Sequence, residues 1–429
     1  MSVAGYGQYL QFNGLYRRME AVLHRRATWV LIDQGVVSAG NFLTGNLLGR
    51  TLPQSEYGVF GLLLETMLYL NSLQAALIIY PLTIRGATSE HKALGRLATA
   101  AGVFTLLMLP LLGLATIFAM SAMNARSLTV AALAAMVLWQ LQETLRRGLI
   151  SELRMTEAVV SDSVRYFGQV ICIFVLARIG HLTLQSALTI MGISAAGSIG
   201  VQAIQIGLKR VSRHDLVSMA VDFWMLGRWM VLSNAGSLVT TLGYWWTLRY
   251  THGLDDCGVF NAIVQVFRLA NPITVGMTGL ITPAVARAAS REGYDVVQRI
   301  AIRYIALGAA LLIPFFLVLA IFPTWALGVF YRSDSPYTQY GTWLQLFVGN
   351  FTFVYISAVI CAWLAGLGHS RWNFHVQFFS VIVTLLVGLP MTALWGVPGV
   401  TIGGLITSLA AAGCAGWYIR RAEHQPFSV

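Results

Sequence analysis

Apolar runs about 20 residues long follow one another along the whole chain, and they restrict its fold more than any other feature. Only 10% of the residues are charged and 57% are hydrophobic, whereas a soluble domain carries about 25% charged residues. Helices satisfy their own backbone polar groups in lipid, so we predict an all-α polytopic membrane protein with about twelve transmembrane helices. The runs start near residues 29, 57, 97, 128, 159, 184, 226, 258, 302, 338, 372 and 398.

Lysine and arginine predict which side each loop occupies. The polar breaks place 21 of these residues on one face and 5 on the other, and Arg165 and Arg268 fall within spans. Cytoplasmic loops are enriched in lysine and arginine, so we expect both termini in the cytoplasm. The net charge of +11 is spread over many short segments. We therefore interpret the basic residues as determinants of membrane orientation and as contacts to anionic lipids, and not as a nucleic-acid binding site.

The longest polar break lies in the middle of the chain and suggests a division into two lobes. The N-terminal segment is interpreted either as an interfacial helix or as a basic tail. We expect a cytoplasmic segment 1–28, an N-lobe 29–208 with spans 1–6, a cytoplasmic linker 209–225, a C-lobe 226–420 with spans 7–12, and a cytoplasmic tail 421–429.

Two similar hexamers indicate that the lobes are repeats. SEYGVF (55–60) and DDCGVF (255–260) end in the same tripeptide, 200 residues apart. Coincidence between two apolar helices is the alternative. If span 2 corresponds to span 8, the unit has six spans, and the two lobes have the same orientation in the membrane. The match continues with Asn71 and Asn271, Pro81 and Pro283, Arg85 and Arg287, and Arg50 and Arg249.

Span 1 is rich in small and polar residues, which a lipid-facing helix does not carry. In and after span 1 stand the patterns Asn41-Phe42, Arg50-Thr51-Leu52 and Tyr57-Gly58. In these patterns the chain resembles the start of bacterial polysaccharide (O-antigen and exopolysaccharide) flippases of the multidrug/oligosaccharidyl-lipid/polysaccharide exporter superfamily. WQLQETLRRGLI (139–150) and DSVRYFGQV (162–170) are also similar to that family.

The resemblance implies a V-shaped pair of six-helix bundles, with spans 1, 2, 7 and 8 around a central cavity. The substrate would be an undecaprenyl-diphosphate-linked glycan, moved by alternating access from the cytoplasmic to the periplasmic leaflet of the bacterial inner membrane. Candidate partners are membrane lipids and the polysaccharide polymerase or export machinery.

Three alternatives stay open. They are a small-molecule or drug cation antiporter of the same superfamily, an integral-membrane glycan-modifying enzyme, and a non-transporting scaffold. No Walker motif, dinucleotide pattern or metal cluster occurs in the sequence. We therefore expect no catalytic residues, no metal and no cofactor, with a proton or sodium gradient as the source of drive.

Ionisable residues within spans are costly, and each one is a functional hypothesis. Arg268 lies about 15 Å into span 8 at helical rise, and Glu65 lies in the repeat-related span 2. If both face the cavity, they lie at similar depth on opposite lobes. Arg268 is predicted to bind the lipid diphosphate and Glu65 to pair with it or to carry a proton. A purely structural ion pair is the alternative.

The other candidates are less specific. Asp33 is either an ion-coupling residue or an acid favoured at a helix N-terminus. Glu143 and Arg147, and Asp162 and Arg165, have the spacing of boundary ion pairs. Alternatively, a cytoplasmic vestibule gathers the diphosphate through Arg146, Arg147 and Arg165. The substrate-binding candidates are completed by Arg50 and Arg249 at the periplasmic mouth and by Asn41 and Asn71.

Overall fold

Helices make up all the secondary structure in the part of the chain that the structure describes. This computed structural model describes residues 28–30, 32–88, 94–289 and 294–422. The predicted segment 1–28 and tail 421–429 lie almost wholly outside these ranges. The long helices are α1, 32–51; α2, Gln54–Gln74, a π turn Ala75–Ile79 and Tyr80–Thr88; α3, Leu94–Ala122; α4, Thr129–Ser151; α5, Met155–Arg178; α6, Leu184–Ile206; α7, Arg213–Ser237, a π turn Leu238–Leu242 and Gly243–Thr251; α8, Leu254–Phe267 and Asn271–Ala289; α9, Tyr294–Ile321; α10, Gly341–Gly366; α11, Ser370–Val383, a π turn Thr384–Gly388 and Leu389–Trp395; and α12, Val397–Ala422.

Most of these helices meet the requirements for crossing a membrane. Among the described residues, nine helices are long and apolar enough by length and composition, and α8 makes ten if its two bent parts form one span. The remaining two, α1 and α7, are more polar. Short helices Arg126–Leu128, Pro323–Tyr331 and Pro336–Tyr340 connect the long ones. The structure confirms the all-α polytopic fold.

The helices of the two halves pack in the same order. The most extensive pair in the N-lobe is α4 with α6, and in the C-lobe it is the corresponding α10 with α12. Likewise α3 packs on α4 as α9 packs on α10, and α5 packs on α6 as α11 packs on α12. The fold consists of two six-helix lobes, as the sequence repeat predicted.

The two Gly-Val-Phe motifs contact each other where α2 and α8 cross. A Cβ atom on Gly58 would overlap the Leu254 carbonyl oxygen, and one on Gly258 would overlap the Gln54 carbonyl oxygen. Each glycine thus contacts the carbonyl group four residues before the other glycine. Such equivalent contacts are expected when two repeats are related by a two-fold axis. Small residues allow helix backbones to approach this closely.

Buried aromatic side chains cover this crossing, and we call Tyr57, Phe60, Tyr331 and Tyr337 the aromatic seal. All four are at most 3% exposed. The Tyr57 and Tyr331 hydroxyls lie 3.3 Å apart, and Tyr331 donates to the Ala262 carbonyl oxygen at 3.0 Å. The lobes are therefore held together at the end where α2 and α8 begin.

Helix α8 breaks at a point where α2 continues. The two parts of α8 are bent by 53° around residues 268–270. Pro272 explains the break, because its ring lacks an amide hydrogen and collides with the carbonyl four residues earlier. The repeat-related residue of α2 is Ser72, which imposes no such break.

Helix α7 begins earlier than the sequence predicted. The interval 209–225 was expected to be a linker, but the helix starts at Arg213. Ser212 caps it by accepting a hydrogen bond from the Asp215 amide at 3.1 Å. Only residues 207–212 connect the lobes.

The first half of α7 packs on the N-lobe. Phe223 joins a buried cluster with Leu82 of α2 and Leu97 of α3. Beside it, Arg85 of α2 forms a two-pronged ion pair with Asp222, with its Nε 2.6 Å from one carboxylate oxygen. This contact ties the start of the C-lobe sequence to the end of α2.

The close approach at Gly58 leads to a stability prediction. The change Gly58→Ala should lower the stability by about 1–3 kcal/mol, because the new methyl group collides with a backbone oxygen. The check is the temperature at which half of the detergent-solubilised protein stays monodisperse. The control is Gly168→Ala on α5, where a Cβ meets nothing within 4 Å and better helix propensity should leave stability equal or higher. Equal melting of the two variants would contradict the prediction.

Candidate functional site

Glu65 and Arg268 form an ion pair between the lobes. The Arg268 Nη2 lies 2.7 Å from a Glu65 carboxylate oxygen, and the two side chains are 16% and 12% exposed. Arg268 stands at the C-terminal end of the first part of α8, where the helix dipole favours a cation. The structure brings the two residues together as their repeat positions predicted.

Gln265 ties this ion pair to α1. Its side-chain oxygen accepts from Arg268 Nη1 at 2.9 Å, and its amide nitrogen donates to the Phe42 carbonyl oxygen at 3.0 Å. Gln265 is the repeat counterpart of Glu65. Helices α1, α2 and α8 are thus linked through one chain of polar contacts inside the membrane.

A cavity of about 530 Å³ opens within the C-lobe beside this ion pair. Glu65 is the one charged residue among the described side chains that line it. Most of the rest of the lining is apolar or aromatic, with several side-chain amides and hydroxyls. The aromatic and amide side chains of the lining include Tyr244, Trp245, Phe260, Asn350, Phe351 and Gln377.

A second set of charges is buried inside the N-lobe, and we call Asp33, Glu143, Arg146 and Asp162 the N-lobe charge cluster. Arg146 forms ion pairs with Asp33 of α1 and Asp162 of α5, and its Nη1 lies 3.4 Å from Glu143. The Arg146 side chain is 5% exposed. In this conformation Arg146 is therefore enclosed by carboxylates rather than presented to an open vestibule.

The other two vestibule candidates differ from Arg146. Arg165 is buried, donates to Gln142 and lies over the ring of Tyr166 at 4.8 Å. Among the described ion pairs, Asp162 is joined to Arg146 and not to Arg165, which corrects the pairing expected from spacing. Arg147 pairs with Glu143 at 2.6 Å, as expected, and its side chain is 42% exposed.

Asn71 belongs to a polar contact set within the N-lobe. It donates to the Gln140 side chain at 2.9 Å. Nearby, Gln74 donates to Thr105 and Thr144 at 3.1 and 2.7 Å. Gln74, Thr105 and Thr144 are buried, and their side chains bond to one another just before the π turn of α2.

Arg50 and Arg249 make matching contacts between the lobes. Arg50 of α1 donates to the Phe330 carbonyl oxygen at 2.6 Å and to that of Val329, in the last turn of helix Pro323–Tyr331. Arg249 of α7 donates to the Ala122 carbonyl oxygen at 3.3 Å, where α3 ends. Each arginine thus neutralises a helix C-terminus of the opposite lobe.

The sequence did not reveal the C-lobe cavity. Three side-chain amides that line the cavity, Asn350, Asn373 and Gln377, lie within apolar spans. Their position there was the one sequence signal that could have indicated a polar cavity. Asn41 was predicted to bind substrate, and it is exposed, with its carbonyl 3.5 Å from the Gln265 amide nitrogen. Within the described residues, no group of three or more His, Cys, Asp or Glu side chains is placed to hold a metal ion.

The N-lobe charge cluster yields a prediction about stability. The change Arg146→Met should destabilise the protein by about 3–5 kcal/mol, because Asp33 and Asp162 would stay buried without their cation. The neighbouring change Arg147→Met serves as the control, since that side chain is partly exposed and its pair contributes on the order of 0–1 kcal/mol. Thermal unfolding of both purified variants measures the difference, and equal losses would argue against a buried, coupled cluster.

The fold is similar to those of several solved transporter structures. A multidrug resistance MATE family transporter of the MOP superfamily, in an inward-facing conformation, is similar with a TM-score of 0.73 and 14% identity, over 90% of this chain and 94% of that chain. The outward-facing conformation of such a transporter gives a TM-score of 0.64 and 15% identity, over 93% and 94%. A MOP superfamily transporter from Pyrococcus furiosus, described as having a binding pocket of reverse polarity, gives 0.63 and 14%, over 93% and 95%.

No protein-family model matches the chain, and no curated protein matches it. The likeness to solved structures therefore establishes the fold. Membership of the superfamily, and within it of the polysaccharide flippases, stays a prediction. The chain has the two-lobed fold of MATE transporters of the MOP superfamily.

Proposed function

We propose that the protein is an alternating-access exporter of a small amphipathic cation, driven by a proton or sodium gradient. The observation that carries the proposal is the C-lobe cavity, with aromatic walls and Glu65 as the charged residue among its described lining. Its volume of about 530 Å³ lies in the range of about 300–1,000 Å³ that small-molecule sites have. The fold shared with multidrug MATE transporters supports the same function.

Exchange of partners at Glu65 would couple the substrate to the ion. The carboxylate holds Arg268 in this conformation. A proton or a cationic substrate bound at Glu65 breaks its ion pair with Arg268. The proton and the substrate cannot bind Glu65 at the same time, which is the mutual exclusion that antiport requires. Asp33 is the second ion-coupling candidate, since it shares Arg146 with Asp162 and would respond to a cation by changing partners.

The contacts between the lobes support alternating access. The aromatic seal and the Gly58–Gly258 contact close one end. The higher TM-score to the inward-facing neighbour agrees with a cavity that opens at the opposite end. By the distribution of basic residues, that end faces the cytoplasm, so a substrate would enter from the inside of the cell.

A flippase for an undecaprenyl-diphosphate-linked glycan is the second candidate function, and Arg268 is the observation that favours it. An arginine in the membrane interior is suited to a diphosphate, whose oxygens match the planar guanidinium donors. The diphosphate would then displace Glu65 from Arg268. Arg146, Arg147, Arg165, Arg50, Arg249, Asn41 and Asn71 stay predicted contacts along that route.

The two functions make opposite predictions for the ion pair. For a cation exporter, Glu65→Gln should lower the efflux of a fluorescent lipophilic cation about ten- to a hundredfold. This range corresponds to the loss of one charged hydrogen bond, about 1.5–3 kcal/mol. The Arg268→Gln variant should retain more of the efflux. For a flippase, Arg268→Gln should cause lipid-linked glycan to accumulate on the cytoplasmic side, with Glu65→Gln less affected.

Both assays are run in cells with matched protein levels, and Glu56→Gln at the start of α2 is the control. Efflux by the unchanged protein that depends on Glu65 supports the exporter. Normal cation efflux in the Glu65→Gln variant, or no efflux by the unchanged protein, overturns it.

A further inference from the structure

A second cavity lies between the second part of α8 and the first half of α9, with a volume of about 820 Å³. All its described lining residues belong to these two helices. They are Ala284, Arg287 and Ala288 of α8 and Ile300, Arg303, Tyr304 and Leu307 of α9. The C-lobe cavity, in contrast, is lined from α2, α7, α8, α10, α11 and α12, so the two sites are separate.

The spacing of these residues shows that two helix faces point at each other across a gap. On α8 the spacing is i, i+3, i+4, and on α9 it is i, i+3, i+4, i+7, which in each case is one face of a helix. Further along, the same helices touch, since a Cβ on Gly308 would lie 2.6 Å from the Met277 side chain. The alanines on α8 leave the gap unfilled where the helices diverge.

Two arginines face this gap from opposite walls. The Arg287 Nε donates to the Pro283 carbonyl oxygen at 3.3 Å, which orients the guanidinium in the last turn of α8. Arg303 lies about 10 Å along the span that begins at Val296. An arginine side chain at that position is long enough to extend its guanidinium toward the headgroup region. Tyr304, beside it, adds a side chain with both an apolar ring and a polar tip.

We propose that this cavity binds the phosphate headgroup of an anionic membrane phospholipid. Two guanidinium groups complement a phosphate, and basic pockets between membrane helices suit such headgroups. The exposed neighbours Leu280, Ile302 and Leu307 give the acyl chains an apolar path along the helices. The distribution of basic residues predicts that the turn between α8 and α9, and with it this cavity, lies in the cytoplasmic leaflet. The site does not depend on which substrate the protein transports.

Binding is tested by native mass spectrometry of the full chain in detergent, titrated with short-chain phosphatidylglycerol, with phosphatidylcholine of equal chain length, and with inorganic phosphate. We expect a preference for phosphatidylglycerol. The double change Arg287→Gln and Arg303→Gln should weaken its binding about thirtyfold, since each basic residue near the membrane surface contributes a factor of about five. The cavity-filling change Ala284→Leu keeps both charges and should also weaken it.

The control is a double change on the same predicted side, Arg210→Gln and Arg420→Gln, at exposed residues outside the cavity lining. This control should bind phosphatidylglycerol as the unchanged protein does. The proposal fails if the Arg287 and Arg303 variant keeps full affinity or if the control loses as much. It also fails if inorganic phosphate competes as well as the lipid, because the site would then bind a free anion.

Discussion

At the crossing of α2 and α8, each helix presents a glycine to the backbone of the other, so the two lobes approach as closely as main chains can. This crossing sets the register of everything further along the two helices. Asn261 meets Gly61 and donates to the Tyr57 carbonyl oxygen at 3.3 Å. Two turns beyond, the same register brings Arg268 to Glu65. The inter-lobe ion pair is therefore a geometric consequence of where the glycines lie.

Opposite charges or carbonyl dipoles face four of the described arginines at the lobe contacts and in the N-lobe. Arg268 and Arg146 lie against carboxylates, and Arg50 and Arg249 against helix C-termini. A cation inside a membrane is tolerated only with such partners. At these four arginines, a substrate or an ion can therefore act only by exchanging one partner for another. That requirement is the same for a cationic drug at Glu65 and for a diphosphate at Arg268.

Much of the architecture was readable in the sequence because composition, apolar run length and a repeat are global signals. The all-α fold, the six-helix lobes and the meeting of Glu65 with Arg268 followed from them. The partner of Asp162 did not, because helical spacing identifies neighbours on the same helix, whereas Arg146 comes from another helix. The start of α7 was missed because polar residues concealed a capped helix. Substrate and coupling ion depend on chemistry that neither the fold nor the run lengths encode.

The π turn of α2 has a consequence for insertions and deletions. A π turn contains one residue more than an α-helical turn, so the segment after it is rotated by about 100° relative to an uninterrupted helix. Loss of a single residue within Ala75–Ile79 would restore the regular helix and turn Arg85 away from Asp222. The contact between α2 and α7 thus depends on the one extra backbone residue in the π turn. Evolution could retune this joint between the lobes by changing chain length, without altering any residue at the contact itself.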